Sequence, residues 1–147
     1  EDNDMTDRYK VWRFDGNRFV YQGERPNRHL HSSLSQYDRL LQYITTKDYI
    51  VRVDLLANGE LRYSSWSKPD TMEAVPDIVL TGGKKVHYEV ASNQLPPCDE
   101  YHFKNGSYQY IVNHCEVGRD KNGDGVHHDY LMVMSEGKVL FKQEVEK

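Results

Sequence analysis

The sequence predicts an all-β protein: an antiparallel meander barrel or sandwich of about ten short strands with one short amphipathic helix. Three observations carry this. Apolar and aromatic residues alternate with polar ones in short runs, the period of a half-buried strand. Those runs are punctuated by turn signals at Asp15-Gly16-Asn17, Asn58-Gly59, Gly82-Gly83, Asn105-Gly106 and Glu136-Gly137. Eleven tyrosines stand against four phenylalanines, and tyrosine suits a sheet face where the ring packs and the hydroxyl stays wet.

At 147 residues the chain fits one domain, large enough to bury roughly 68–70% of its unfolded surface without metals or many staples. Residues 1–8 (EDNDMTDR) are acidic and without periodicity, so they read as a flexible tail before a single barrel-like domain at 9–147. Residues 9–14 alternate, 15–17 turn, and 18–22 resume as the second strand of a hairpin. Residues 23–28, with Pro26, form a loop. In 33–46 the apolar residues Leu34, Tyr37, Leu40, Leu41 and Ile44 follow helical spacing. Ser33 or Ser35 is a suitable N-cap, so a helix of about three turns is expected, packed over a sheet or plugging a barrel end.

Strands then return. Residues 48–56 and 60–66 form a hairpin around Asn58-Gly59. Residues 67–76 hold Pro69 and Pro76 and read as a long loop. Residues 77–81 and 85–90 form a third hairpin around Gly82-Gly83, and 91–97 are a loop ending in Pro96-Pro97. The hairpin 98–115 follows, then a polar Gly-rich connector at 119–129 and a last hairpin over 130–135 and 138–145. Closure into a barrel is preferred, because it removes edges in a chain with few edge prolines.

The cysteines sit near the two feet of the 98–115 hairpin. A two-residue Asn105-Gly106 turn places Phe103 opposite Tyr108, Tyr101 opposite Tyr110 and Cys98 opposite Asn113. Cys115 then lies one step along the same face, within reach of Cys98 if a bulge shifts the register. A bridge across a loop of this size contributes roughly 3 kcal/mol and implies maturation outside the reducing cytosol. The alternative is two reduced thiols; no Cys-x-x-Cys suggests a metal or redox pair. Asn105-Gly106-Ser107 also fits an N-glycosylation acceptor, but turn formation explains these residues fully.

Charge and hydropathy narrow the function classes. The net charge is −4 and no Lys/Arg cluster stands out, which argues against nucleic acid. No apolar run approaches ~18 residues, so no transmembrane helix is expected. The chain opens without a leader peptide, and a mature or trimmed chain is expected. A mean hydropathy of −0.83 is low for an enzyme core and ordinary for a thin β-barrel.

Asp120, Asn122, Asp124 and Val126 match the opening of a calcium loop: three oxygen side chains at alternate positions, a glycine at the bend and the Val126 carbonyl. The twelfth position is Leu131 where a bidentate Glu should stand, with Asp129 as a partial substitute. Turn chemistry explains the same residues, and any calcium held here would be weak and structural. The seven histidines show no HExxH spacing; His29 and His31 share a face, His127 and His128 adjoin Asp129, and His102 and His114 fall on opposite faces. There is no G-x-S-x-G elbow, no phosphate-cradling glycine loop and no activated thiolate if the cysteines are bridged. A non-enzymatic protein is therefore expected.

Two loops look built for contact. Residues 92–97 run directly into Cys98, with Gln94, Leu95, Pro96 and Pro97 as the candidate contact residues. Preordering by prolines and a covalent anchor lowers the entropy lost on binding. The second loop, 66–75, offers Trp66 and Pro69, or else is an ordinary surface loop with Trp66 and Met72 tucked beneath it.

The runs VRVDLLANGELRYSSWSKPDTMEAVPDIVLTGGKKV and DYLMVMSEGKVLFKQEVE, with the acidic opening Glu1-Asp2-Asn3-Asp4, resemble small exported surface lipoproteins of the Bacteroidetes type. Within that group the chain is similar in size, export and all-β character to the potempins, surface lipoproteins that inhibit secreted peptidases. The resemblance implies an extracellular, outer-membrane-surface or periplasmic location and a lipid anchor. No inhibitory residue matches position by position, so none is carried over. The expected function is a monomeric inhibitor of a secreted peptidase acting through a rigid loop; the alternative is an accessory module binding a glycan or other ligand on Tyr and Trp platforms.

Overall fold

A computed structural model describes residues 9–25, 29–88, 97–123 and 125–146. Eleven antiparallel strands form three sheets. Among the described residues, β1 (Tyr9–Phe14) and β2 (Phe19–Arg25) pair only with each other. β3 (Arg39–Thr45), β4 (Tyr49–Leu55), β5 (Leu61–Ser67) and β6 (Ile78–Thr81) form a four-stranded sheet. β7 (Lys84–Tyr88), β8 (Cys98–Asn105), β9 (Tyr108–Arg119), β10 (Gly125–Ser135) and β11 (Lys138–Glu144) form a five-stranded sheet. Within each sheet consecutive strands are neighbours, as tight turns favour.

The two larger sheets face each other. Ile44, Val51, Val53, Leu61 and Tyr63 from the first pack on Tyr101, Phe103, Val112 and Leu131 from the second. These residues alternate along their strands with positions on the opposite face, as the strand period requires. The arrangement is a sandwich, and the expected barrel does not close. β3 and β11 approach each other at the Thr46–Val145 bridge, where the Glu146 N–H donates to the Thr45 carbonyl at 2.8 Å and the Thr46 hydroxyl donates to the Gln143 side-chain oxygen at 2.7 Å, without a continuous ladder among the described residues.

Two further expectations are corrected. Gly82-Gly83 does not join a hairpin: β6 and β7 lie in different sheets, and this dipeptide is the corner where the chain crosses between layers. Gly83 lies against the Phe103 ring so closely that a Cβ would run into it. The helix expected over 33–46 does not form. Only Ser32–Leu34 makes a single 3₁₀ turn, capped by His31, whose Nδ1 accepts from the Ser33 N–H at 3.2 Å. From Arg39 the chain is β3. A bulge between Leu40 and Gln42 sets Leu40 opposite Asp54 but Gln42 opposite Val53 and Ile44 opposite Val51. The helical spacing arose from two runs that serve different cores, Leu34 and Tyr37 in one and Leu41 and Ile44 in the other. The consecutive Ile44, Thr45 and Thr46 also favour strand.

The outer face of the four-stranded sheet is buried as well. Leu30, Leu34, Tyr37 and Trp66 form a second cluster there, with Met72 and Ala74 against it. Beneath it lies a charged triad. Arg52 and Asp54, two apart on β4, are both fully buried; the Arg52 guanidinium meets the carboxylate at 2.6 and 3.0 Å. Arg62, opposite Asp54 on β5, donates to it at 2.9 Å and to the Leu34 carbonyl at 2.9 Å. Arg52 also sits 5.0 Å from the centre of the Tyr37 ring. One carboxylate thus bridges two guanidiniums, leaving one positive charge in excess, and the two arginines tie the 34–37 segment to the sheet.

Removing one partner of a buried ion pair strands the remaining charges. Asp54→Ala is expected to lower the unfolding free energy by about 3–5 kcal/mol, read from urea denaturation. A loss below about 1 kcal/mol, the level of an exposed pair, would show that the triad does not hold this face.

Candidate functional site

The β1–β2 hairpin is built by its turn. Asp15 folds its carboxylate back to accept the Asn17 and Arg18 N–H groups at 2.9 Å, and its own N–H donates to the Arg18 carbonyl at 3.0 Å. Those backbone donors, Arg18 first, hold the Asp15 carboxyl below the usual carboxylate range. Gly16 supplies the positive φ, +98°, that the bend needs.

This turn fixes a register in which Phe14 faces Phe19 and Trp12 faces Tyr21. All four rings lie on one face. Phe14 and Phe19 sit with centroids 5.2 Å apart, Trp12 and Tyr21 5.0 Å apart, tilted by 51° and 57°. Each remains about half exposed: Trp12 54%, Phe14 56%, Phe19 66% and Tyr21 47%. The two strands pack mainly on each other. A two-stranded hairpin is marginal alone, and aromatic pairs of this kind contribute about 0.5–1.5 kcal/mol each beyond area burial. The rings therefore support the hairpin and at the same time leave an exposed aromatic face. The hairpin itself was legible in the sequence; the exposure of its rings was not. The signal was that Trp12, Phe14, Phe19 and Tyr21 all fall on one face while Val11, Arg13 and Val20 take the other, with a sequence loop rather than a third strand following.

The disulfide joins Cys98 to Cys115. The two are directly opposed, with Cα atoms 4.1 Å apart, and need no bulge. The turn is Gly106-Ser107 rather than Asn105-Gly106: Asn105 pairs with Tyr108, Phe103 with Tyr110 and Tyr101 with Val112. Gly106 takes φ +64° at the first central position, the demand of a type II′ turn. At the foot of this hairpin the Pro97 carbonyl accepts the Glu116 N–H at 3.3 Å. Gln94, Leu95 and Pro96 lie outside the described residues.

In the second candidate loop, Trp66 is fully buried and its Nε1–H donates to the Ala74 carbonyl at 2.8 Å. It anchors the loop from below and offers no surface to a partner. Pro69 is exposed, after a cis peptide bond from Lys68. In the calcium-like loop, Asp120 accepts the Asn122 N–H at 2.8 Å, the Gly123 N–H donates to the Asp120 carbonyl at 3.0 Å, and Val126 has already entered the ladder opposite Gly118. Asp124 lies outside the described residues. Among the described residues no three His, Cys, Asp or Glu side chains converge to hold a metal.

A row of acids and imidazoles crosses the five-stranded sheet beside the disulfide. His87 meets Asp99 at 2.5 Å, Asp99 stands opposite His114, and His114 meets Asp129 at 2.8 Å. Gln42 donates to the other Asp129 oxygen at 3.2 Å, and the His127 ring stacks on His114 at 4.7 Å. His102 lies on the other face, between Glu100 and Gln109, at 2.8 Å from each. With both cysteines bridged, the row adjoins no thiolate. Compared with protein families, curated proteins and solved structures, the chain matches none of them.

The hydrogen bond to Asp129 raises the His114 pKa above its ordinary value; burial opposes this, while the charges of Asp129, Glu116 and Asp99 add to it. A raised folded-state pKa gives stability that is complete below the unfolded value, near ~6.5, and is lost as pH rises through the folded value. The stability gap between the parent chain and His114→Gln is thus expected to be larger at pH 5.5 than at pH 8.5, read from thermal melts. An equal gap at both would show that the imidazolium–Asp129 contact adds nothing.

Proposed function

We propose that this chain is a non-enzymatic, exported or surface-anchored β-domain that holds a protein partner through the aromatic face of its β1–β2 hairpin. The observation that carries this is the set of four half-exposed rings on one face of a hairpin that shares no strand with the sandwich. Binding energy in protein interfaces concentrates on Trp, Tyr and Arg, surrounded by contacts that exclude water. Trp12 and Tyr21 supply the first two, and Arg13 and Arg18 lie within the same seventeen-residue hairpin. The 9–25 stretch carries Lys10, Arg13, Arg18 and Arg25 against Asp15 and Glu24, in a chain whose net charge is −4. A partner with an apolar groove edged by carboxylates suits this local charge. The tilt of the rings fits interdigitation with side chains better than the flat platform a sugar ring needs. Export is supported by the disulfide, which persists in oxidising compartments.

Peptidase inhibition through residues 92–97 is the second reading. It is favoured by the Cys98–Cys115 bridge and the Pro97–Glu116 hydrogen bond, which fix the point where that stretch enters β8.

One capture experiment separates the two. The purified domain, the Trp12→Ala/Phe19→Ala variant and the Leu95→Asp variant are used as baits for proteins secreted by the source organism, with circular dichroism confirming each fold. Capture of a protein that falls at least ten-fold in the hairpin variant and persists in Leu95→Asp is the expected result. The reverse pattern assigns contact to the 92–97 stretch, and a peptidase assay then reads inhibition directly. Capture indifferent to both variants, or binding only to glycans, rejects the proposal.

A further inference from the structure

Packing between the two large sheets is incomplete at one end. The inner faces of β4, β5 and β6 and of β9, β10 and β11 leave a cleft of about 280 Å³. The rings of Tyr49, Tyr63, Tyr110 and Phe141 line it. Phe141 stands edge-on to Tyr49 at 5.5 Å and Tyr110 edge-on to Tyr63 at 5.3 Å, so the rings form walls rather than filling the gap. Close-packed interiors leave few spaces larger than one water; this cleft opens to solvent at one end and is large enough to admit a small molecule.

The lining also has a polar side. Tyr63 is buried, and burial pushes its phenol well above the usual range, so it stays protonated. Tyr49 and Tyr110 are partly buried, and their hydroxyls form no hydrogen bond with another described residue. No described residue lining the cleft is charged at neutral pH.

We propose that this cleft binds a small neutral aromatic molecule that carries a hydroxyl or carbonyl group. Edge-on rings suit another ring between them. The Tyr49 and Tyr110 phenols, which bond to no other described residue, can supply hydrogen bonds to a polar group, and the absence of a charged described residue from the lining makes an ion costly to bring in. An apolar cavity of about 150 Å³ takes benzene; a space nearly twice that takes a bicyclic ligand. The site lies in the sandwich and is independent of the hairpin contact.

The test uses 2-naphthol and naphthalene as probes of the whole chain, followed through the methyl resonances of Ile78, Leu131 and Val133, which line the cleft. Saturable 2-naphthol shifts at these methyls are expected. The Tyr49→Phe/Tyr110→Phe variant should weaken 2-naphthol binding roughly three- to ten-fold, the worth of an ordinary hydrogen bond, and leave naphthalene binding unchanged. The Trp12→Ala/Phe19→Ala variant should bind both probes as the parent does. Shifts that fail to saturate, that fall on the hairpin instead, or a 2-naphthol affinity untouched by the double phenylalanine variant would overturn the proposal.

Discussion

The Arg52–Asp54–Arg62 triad is the contact on which the architecture turns. A sheet in a two-layer sandwich ordinarily buries one face and wets the other. Here the four-stranded sheet buries both, and charged side chains occupy the middle of its second covered face. Two guanidiniums and one carboxylate removed from water are tolerable only where geometry is tight and the remaining donors find acceptors. The Leu34 carbonyl and the Tyr37 ring meet part of that need, and both belong to the segment the triad holds down. The 29–38 segment and the ion cluster therefore depend on each other: the segment excludes water from the charges, and the charges fix the segment. Trp66, bonded to the Ala74 carbonyl, closes the same layer from the other side.

Much of the strand order was legible in the sequence because turn chemistry is local. Asp15-Gly16, Asn58-Gly59 and Glu136-Gly137 each mark a real reversal. The failures share a cause, which is that tertiary partners decide what local pattern leaves open. Leu34, Tyr37, Leu41 and Ile44 keep helical spacing, yet they serve two cores on opposite faces of one sheet. Gly82-Gly83 carries a hairpin signature, yet its second glycine is required by the Phe103 ring and the chain leaves the sheet there. In the cysteine hairpin, a turn displaced by one residue moves every cross-strand pair by two positions. That displacement converts an expected diagonal between Cys98 and Cys115 into direct opposition.

The site was less readable than the fold, for a related reason. Alternation tells which residues share a face and not whether that face is covered. Trp66 and Trp12 look alike in sequence, each on a strand beside a turn-rich stretch. One is fully buried and the other is 54% exposed. The difference lies in what packs above them: for Trp66 the Met72–Ala74 segment, for Trp12 chiefly its cross-strand partner Tyr21. The histidines make the same point. Nothing in their spacing announces that His87, Asp99, His114 and Asp129 line up across four strands, since each lies on a different strand and only the register aligns them.

The separateness of β1 and β2 bears on how such a protein can change. Among the described residues no ladder hydrogen bond of either large sheet passes through the hairpin, so substitutions among its rings leave the sandwich core and the charged layer intact. The stability of the sandwich and the exposed rings are thereby placed under different residues. Trp12, Phe14, Phe19 and Tyr21 can be rewritten one at a time, with the scaffold neither resisting nor recording the change.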